Sequence, residues 1–117
     1  MKSILLVEDD PGLREAAYQI LEGAGYHVVE VLDGSRAREI LELIQPSLVL
    51  VDLEAPGGAD LSAWMTGQPR LASTPVVLMT AFELDHLRFS ISGALHKPFD
   101  LDELLNLVAT LIDTCRP

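Results

Sequence analysis

The chain has 117 residues, 49% of them hydrophobic, which is the size of one domain with its own core and excludes a disordered tail. Eighteen acids against eight lysines and arginines leave a net charge of −10, so direct nucleic-acid binding and insertion into an anionic membrane are not expected. Cys115 is the only cysteine, and no apolar run reaches the length of a signal-peptide core or a membrane span, so a reducing cytoplasm is the expected compartment.

The first apolar run, "SILLV" at 3–7, has strand length and is cut off by Glu8, Asp9 and Asp10. A helix is predicted over 11–24. Asp10 serves as N-cap, Pro11 takes the first helical position, and Gly25 makes a stop. Leu13, Ala16, Ala17, Ile20, Leu21 and Ala24 share its apolar face. A second strand, "YHVVEV" at 26–31, precedes a second helix over 34–45, with Asp33 as cap and Ala37, Ile40, Leu41 and Ile44 as stripe. The third strand, "SLVLV" at 47–51, runs into Asp52 and the turn residues Pro56-Gly57-Gly58. A short helix over 59–67 carries Leu61, Trp64 and Met65, the last two read as packing residues. "PVVLM" at 75–79 is a fourth strand, and "GALH" at 93–96 a weak fifth. The segment between them has room for about two turns of helix, Glu83 to Ser90. The last helix, over 101–114, has Asp100 as cap and Glu103 completing a capping box.

Alternating strands and helices imply a parallel sheet covered on both faces, wound in both directions by right-handed crossovers. Such sheets place their functional sites outside the carboxyl ends of the strands. The residues there are Glu8, Asp9 and Asp10 after the first strand and Asp52 after the third. Thr80 follows the fourth and Lys97 the fifth. Several carboxylates at one edge repel unless a counter-charge sits among them. A hard divalent cation such as Mg²⁺ takes oxygen ligands of this kind. A carboxylate beside that cation, facing a hydroxyl and an ammonium, can attack a phosphoryl group. His27, His86 and His96 have no metal-ligand spacing and are read as surface residues. No glycine-rich phosphate loop follows the first strand.

With those residues placed, the whole chain, 1–117, resembles a response-regulator receiver domain of two-component signalling. "ILLVEDDPGLRE" (4–15), "LVLVDLEAPGG" (48–58), "VVLMTA" (76–81) and "HKPFDLDEL" (96–104) carry the resemblance. It implies a (βα)5 fold with strand order 2-1-3-4-5. It implies that Asp52 accepts a phosphoryl group from a histidine kinase or histidine phosphotransfer protein. The resemblance also makes Glu8 and Asp9 an Mg²⁺-binding pair, completed by Asp52 and the Glu54 main-chain carbonyl. Thr80 corresponds to the hydroxyl that meets the phosphoryl group, and Lys97 to the lysine that pairs with it. Lys97-Pro98 is typically cis in such domains. The output is a conformational change read by a downstream protein, and the domain is a phosphoacceptor rather than an enzyme.

Three features depart from the family pattern. Asp60 replaces a usual glycine and takes left-handed geometry less easily, the segment from Thr80 to Lys97 is short, and the aromatic position three before the lysine falls on Ala94. The fourth helix is therefore expected to be short or irregular. Two other readings stay open. One is a pseudo-receiver, the same fold serving as an interaction module without phosphorylation. The other is a phosphatase of the haloacid-dehalogenase type, with Glu54 as second acid, although that family carries its nucleophile on the first strand.

Overall fold

The computed structural model describes residues 2–82 and 92–114. Five parallel strands form one sheet: β1 (Ser3–Val7), β2 (His27–Val31), β3 (Leu48–Asp52), β4 (Val76–Thr80) and β5 (Gly93–His96), in the order β2-β1-β3-β4-β5. The order agrees with expectation. Among the described residues there are four α-helices, α1 (Pro11–Gly23), α2 (Gly34–Leu41), α3 (Gly58–Thr66) and α4 (Leu101–Thr114), and a 3₁₀ turn at Pro69–Leu71 that the apolar pattern did not signal. The expected fourth helix, Glu83 to Ser90, lies outside the described residues, as do His86 and Cys115.

Strand alternation sorts the core into two layers. Ile4, Leu6, Leu48, Leu50, Val77, Met79 and Leu95 meet Ala17 and Leu21 of α1 and Leu104, Val108 and Ile112 of α4. On the opposite face, Leu5, Val7, Val49, Val51 and Leu78 pack with Ala37 and Leu41 of α2 and Leu61 and Met65 of α3. β3 and β4 bury every residue and β1 every residue but Ser3, which is why they read as unbroken apolar runs rather than as alternation.

Local signals explain most boundaries. Asp10 caps α1 by accepting from the Leu13 N–H at 2.9 Å, and Asp33 caps α2 by accepting from the Arg36 N–H at 2.8 Å. α2 ends at Leu41, four residues short of the expected limit. Pro46 biases the residue before it away from helix, and the Arg70 side chain takes the Leu41 and Ile44 carbonyls that a longer helix would have used. Ile44 is consequently 40% exposed instead of joining the stripe. α4 starts with the Leu104 N–H bonded to the Asp100 carbonyl at 3.2 Å. Among the described residues Asp100 makes no side-chain capping bond, so the expected capping box is not formed.

The loop after β3 corrects another expectation. No described non-glycine residue has positive φ, and the left-handed residue is Gly57, at φ 75°. Asp60 sits in the first turn of α3, where an acid suits the helix dipole and no left-handed backbone is needed. Gly58 is required by proximity, because a Cβ there would collide with the Asp52 carbonyl oxygen.

Candidate functional site

The strand order brings the predicted residues together. β1 and β3 are neighbours, with Val7 beside Val51, so Glu8, which follows β1, and Asp52, which ends β3, face the same crevice where the chain reverses its winding. β3 and β4 each run one residue beyond their apolar stretch, because the Leu53 N–H bonds the Met79 carbonyl and the Lys97 N–H bonds the Thr80 carbonyl, at 2.9 and 2.8 Å. Asp52 and Thr80 are therefore the last residues of strands and share their rigidity. Lys97 follows β5, and the Lys97-Pro98 peptide is cis, as the resemblance implied.

At the centre, Lys97 Nζ lies 3.1 Å from Asp52 Oδ1 and 3.2 Å from Glu8 Oε1. Glu8 is fully buried and Asp52 only 2% exposed. The Glu54 N–H donates to Asp52 Oδ1 at 3.1 Å, and the Asp10 N–H to Glu8 Oε2 at 3.2 Å. Two buried carboxylates share one ammonium, which leaves one negative charge in excess. Burial, then the neighbouring Asp52, pushes the Glu8 carboxyl up to about 7. Burial also acts to raise Asp52, but the Glu8 hydrogen bond and the Lys97 ammonium outweigh it and hold Asp52 below the usual carboxylate value. Burial acts to lower Lys97, and the two carboxylates overcome it and raise it.

Glu8 Oε1 is the one buried side-chain oxygen among the described residues without an aligned hydrogen-bond donor. Its counter-charge is the Lys97 ammonium, 3.2 Å away and shared with Asp52, so the two acids are only half compensated. Carboxylate oxygens of Glu8, Asp9 and Asp52 lie within 4.8 Å of one another. An all-oxygen set with one exposed member, Asp9, matches what Mg²⁺ takes, since that ion keeps several waters. The clustered oxygens, carrying one negative charge more than Lys97 balances, fit such an ion.

Glu54 was singled out for its main-chain carbonyl, but its side chain is engaged as well. Glu54 Oε2 accepts from the Thr80 hydroxyl at 2.7 Å, and Oε1 from the Ala81 N–H at 2.8 Å. The Thr80 oxygen in turn accepts from the Phe82 N–H at 3.0 Å. Position two residues after Asp52 was the only sequence signal for this contact, and it does not specify a side-chain direction. His27 and His96 are exposed, as expected, and Ala94 is half-buried on β5 beside Leu78.

A parallel α/β sheet with a buried acid-lysine centre at its switch point defines a class of domains that handle phosphoryl groups or metal ions at the strand ends. The family model for the response regulator receiver domain matches residues 4–109, and the chain belongs to that family. It is similar to the DNA-binding dual master transcriptional regulator RpaA of a Synechocystis strain, 34% identical over 96% of this chain and 49% of that one. The chain thus spans about half the length of that relative. Among solved structures, the receiver domain of a signal transduction histidine kinase from Syntrophus aciditrophicus superposes with a TM-score of 0.91 at 31% identity, covering 97% of this chain and 92% of that one. The receiver domain of a sensor histidine kinase from Pseudomonas aeruginosa, solved with a magnesium ion in its active-site cleft, gives 0.87 at 28% identity over 96% and 98%.

Proposed function

We propose that this chain, 1–117, is a single receiver domain whose Asp52 takes a phosphoryl group from a histidine kinase or histidine phosphotransfer protein. The observation that carries the reading is the buried Asp52 carboxylate in contact with Lys97 Nζ at 3.1 Å, at the edge where Glu8 and Asp9 add further oxygens. A carboxylate held below its usual value stays ionised and is available as a nucleophile at neutral pH.

In the transfer, an Asp52 oxygen attacks phosphorus and a P–O bond forms. The P–N bond to the donor imidazole breaks, its electron pair goes to that nitrogen, and the donor leaves as neutral imidazole when its other nitrogen carries a proton. Lys97 stands beside Asp52 to balance charge on the phosphoryl oxygens, and the Thr80 hydroxyl supplies a donor from the next strand. Glu8, Asp9, Asp52 and the Glu54 main-chain carbonyl would hold Mg²⁺. When bound, the ion supplies positive charge against the carboxylates and the phosphoryl oxygens. The domain is a reactant in this step, and its output is a changed surface read by a partner protein.

Incubation with acetyl phosphate and Mg²⁺, followed by intact mass, tests the reading. Wild type gains one phosphoryl mass and Asp52→Asn gains none, because an amide is not a nucleophile here. Equal labelling of the two chains removes Asp52 from the role. An unlabelled wild type that still binds a partner favours the pseudo-receiver alternative.

A further inference from the structure

Two donors at the end of β4, the Thr80 hydroxyl and the Ala81 N–H, converge on one anion, the Glu54 carboxylate, and each engages a different oxygen of it. The 2.7 Å contact has the length of a hydroxyl bonded to a charged acceptor. The hydroxyl has one proton to give, and the Phe82 N–H occupies the oxygen from the other side. Its proton is therefore committed to Glu54. The same carboxylate follows Asp52 by two residues, and its own N–H bonds Asp52 Oδ1. Glu54 thus spans the space between the acid proposed to be phosphorylated and the donors on the adjacent strand.

We infer that the Glu54 carboxylate is a built-in occupant of the phosphoryl-oxygen site. It holds Thr80 and Ala81 until a phosphoryl group on Asp52 displaces it. The inference rests on the phosphoacceptor reading of Asp52. A phosphoryl group and a carboxylate are both anions with oxygen acceptors, so they compete for the same donors and repel one another when both are present. Glu54 is more than a third exposed, so it can swing into water without leaving an unpaired buried charge. Phosphorylation then does two things at once: it takes the donors of Thr80 and Ala81, and it expels an anionic side chain to the surface beside Phe82. Glu54 is a positioning residue that sets how readily the site accepts and keeps a phosphoryl group.

The test compares wild type, Glu54→Ala and Glu54→Gln, each with and without Asp52→Asn. Two readouts are taken with Mg²⁺ present: the rate of labelling by acetyl phosphate and the affinity for beryllofluoride. Substitution leaves the Glu54 main-chain carbonyl and N–H in place. Releasing one hydrogen bond to a charged group in a partly exposed site corresponds to about tenfold, so Glu54→Ala should bind beryllofluoride about tenfold more tightly and label faster. Glu54→Gln keeps an acceptor without the charge and should fall between. The Ala81 amide should also lose hydrogen-exchange protection in Glu54→Ala and regain it with beryllofluoride. Wild-type affinity and rate in both folded variants would overturn the inference while leaving Asp52 as acceptor. Labelling that survives Asp52→Asn would overturn the underlying reading instead, as would failure of every chain with Asp52 to label or to bind beryllofluoride.

Discussion

Glu8 decides how the acid edge behaves in the absence of metal. It is buried to the last atom, and its Oε1 has no aligned donor. Its carboxyl is pushed up to about 7, above its ordinary 4.5. The folded chain therefore keeps a proton that the unfolded chain has already released. Between those two values the unfolded state binds fewer protons, so metal-free stability falls as pH rises through the window. A divalent cation needs that proton gone, so Mg²⁺ affinity should rise over the same range, by about tenfold between roughly pH 6 and pH 8. Titration of Mg²⁺ at the two pH values, followed by intrinsic fluorescence or calorimetry, checks the sign. Glu8→Gln mimics the protonated form. It should raise metal-free stability at the upper pH, weaken Mg²⁺ binding and flatten its pH dependence. An affinity that is level or falls with pH would contradict the placement of Glu8 at the ion.

At the scale of elements, the loop from Asp52 into α3 carries a tight backbone constraint beside the site. Gly58 lies so close to the Asp52 carbonyl that a methyl group cannot be accommodated without a backbone shift. Gly58→Ala should destabilise the fold by about 1–3 kcal/mol, the usual range for overpacking. It should also slow Asp52 labelling, because the Glu54 N–H that holds Asp52 Oδ1 lies in the same loop. Urea unfolding and intact-mass time courses measure the two effects, and a variant normal in both would mean that the loop is softer than its contacts imply. The neighbouring helices α2 and α3 are joined partly by Arg38, whose guanidinium lies 4.7 Å from the Trp64 ring centroid.

The element scale also separates what was legible in the sequence from what was not. Glu8, Asp52, Thr80 and Lys97 were readable because each follows or ends an apolar run, and a parallel sheet gathers such ends on one side. Caps at Asp10 and Asp33 were readable because an N-cap is a local contact spanning three residues. The end of α2 was not, because it depends on Arg70, which reaches back from the 3₁₀ turn to the Leu41 carbonyl. Left-handed geometry is not needed at Asp60, since Gly57 takes that turn three residues earlier. The Glu54–Thr80 contact was hidden for the same reason as the α2 boundary. It joins residues 26 apart and depends on a rotamer, which hydrophobic periodicity does not encode.

The whole molecule sets the strength of the metal response. Its net charge is −10, and the acid edge adds local repulsion to that general excess. A cation bound only by the folded chain stabilises it through mass action, by about 1.4 kcal/mol at ten times the dissociation constant. For a domain of this size that corresponds to a rise in melting temperature of about 6 °C. Two effects could raise the melting temperature, and they separate cleanly. Screening of the overall negative charge depends on ionic strength and is reproduced by sodium chloride. Binding at Glu8, Asp9 and Asp52 depends on Mg²⁺ itself and on the acid set. Asp9 is the exposed member, so Asp9→Asn removes a ligand charge with little change to the core. That variant should lose most of the Mg²⁺ response and be slightly more stable than wild type without metal, because one repulsive charge is gone. Melting curves at matched ionic strength, with and without Mg²⁺, distinguish the cases. A response equal in wild type and Asp9→Asn, or matched by sodium chloride alone, would assign the stabilisation to screening and take the ion away from this edge.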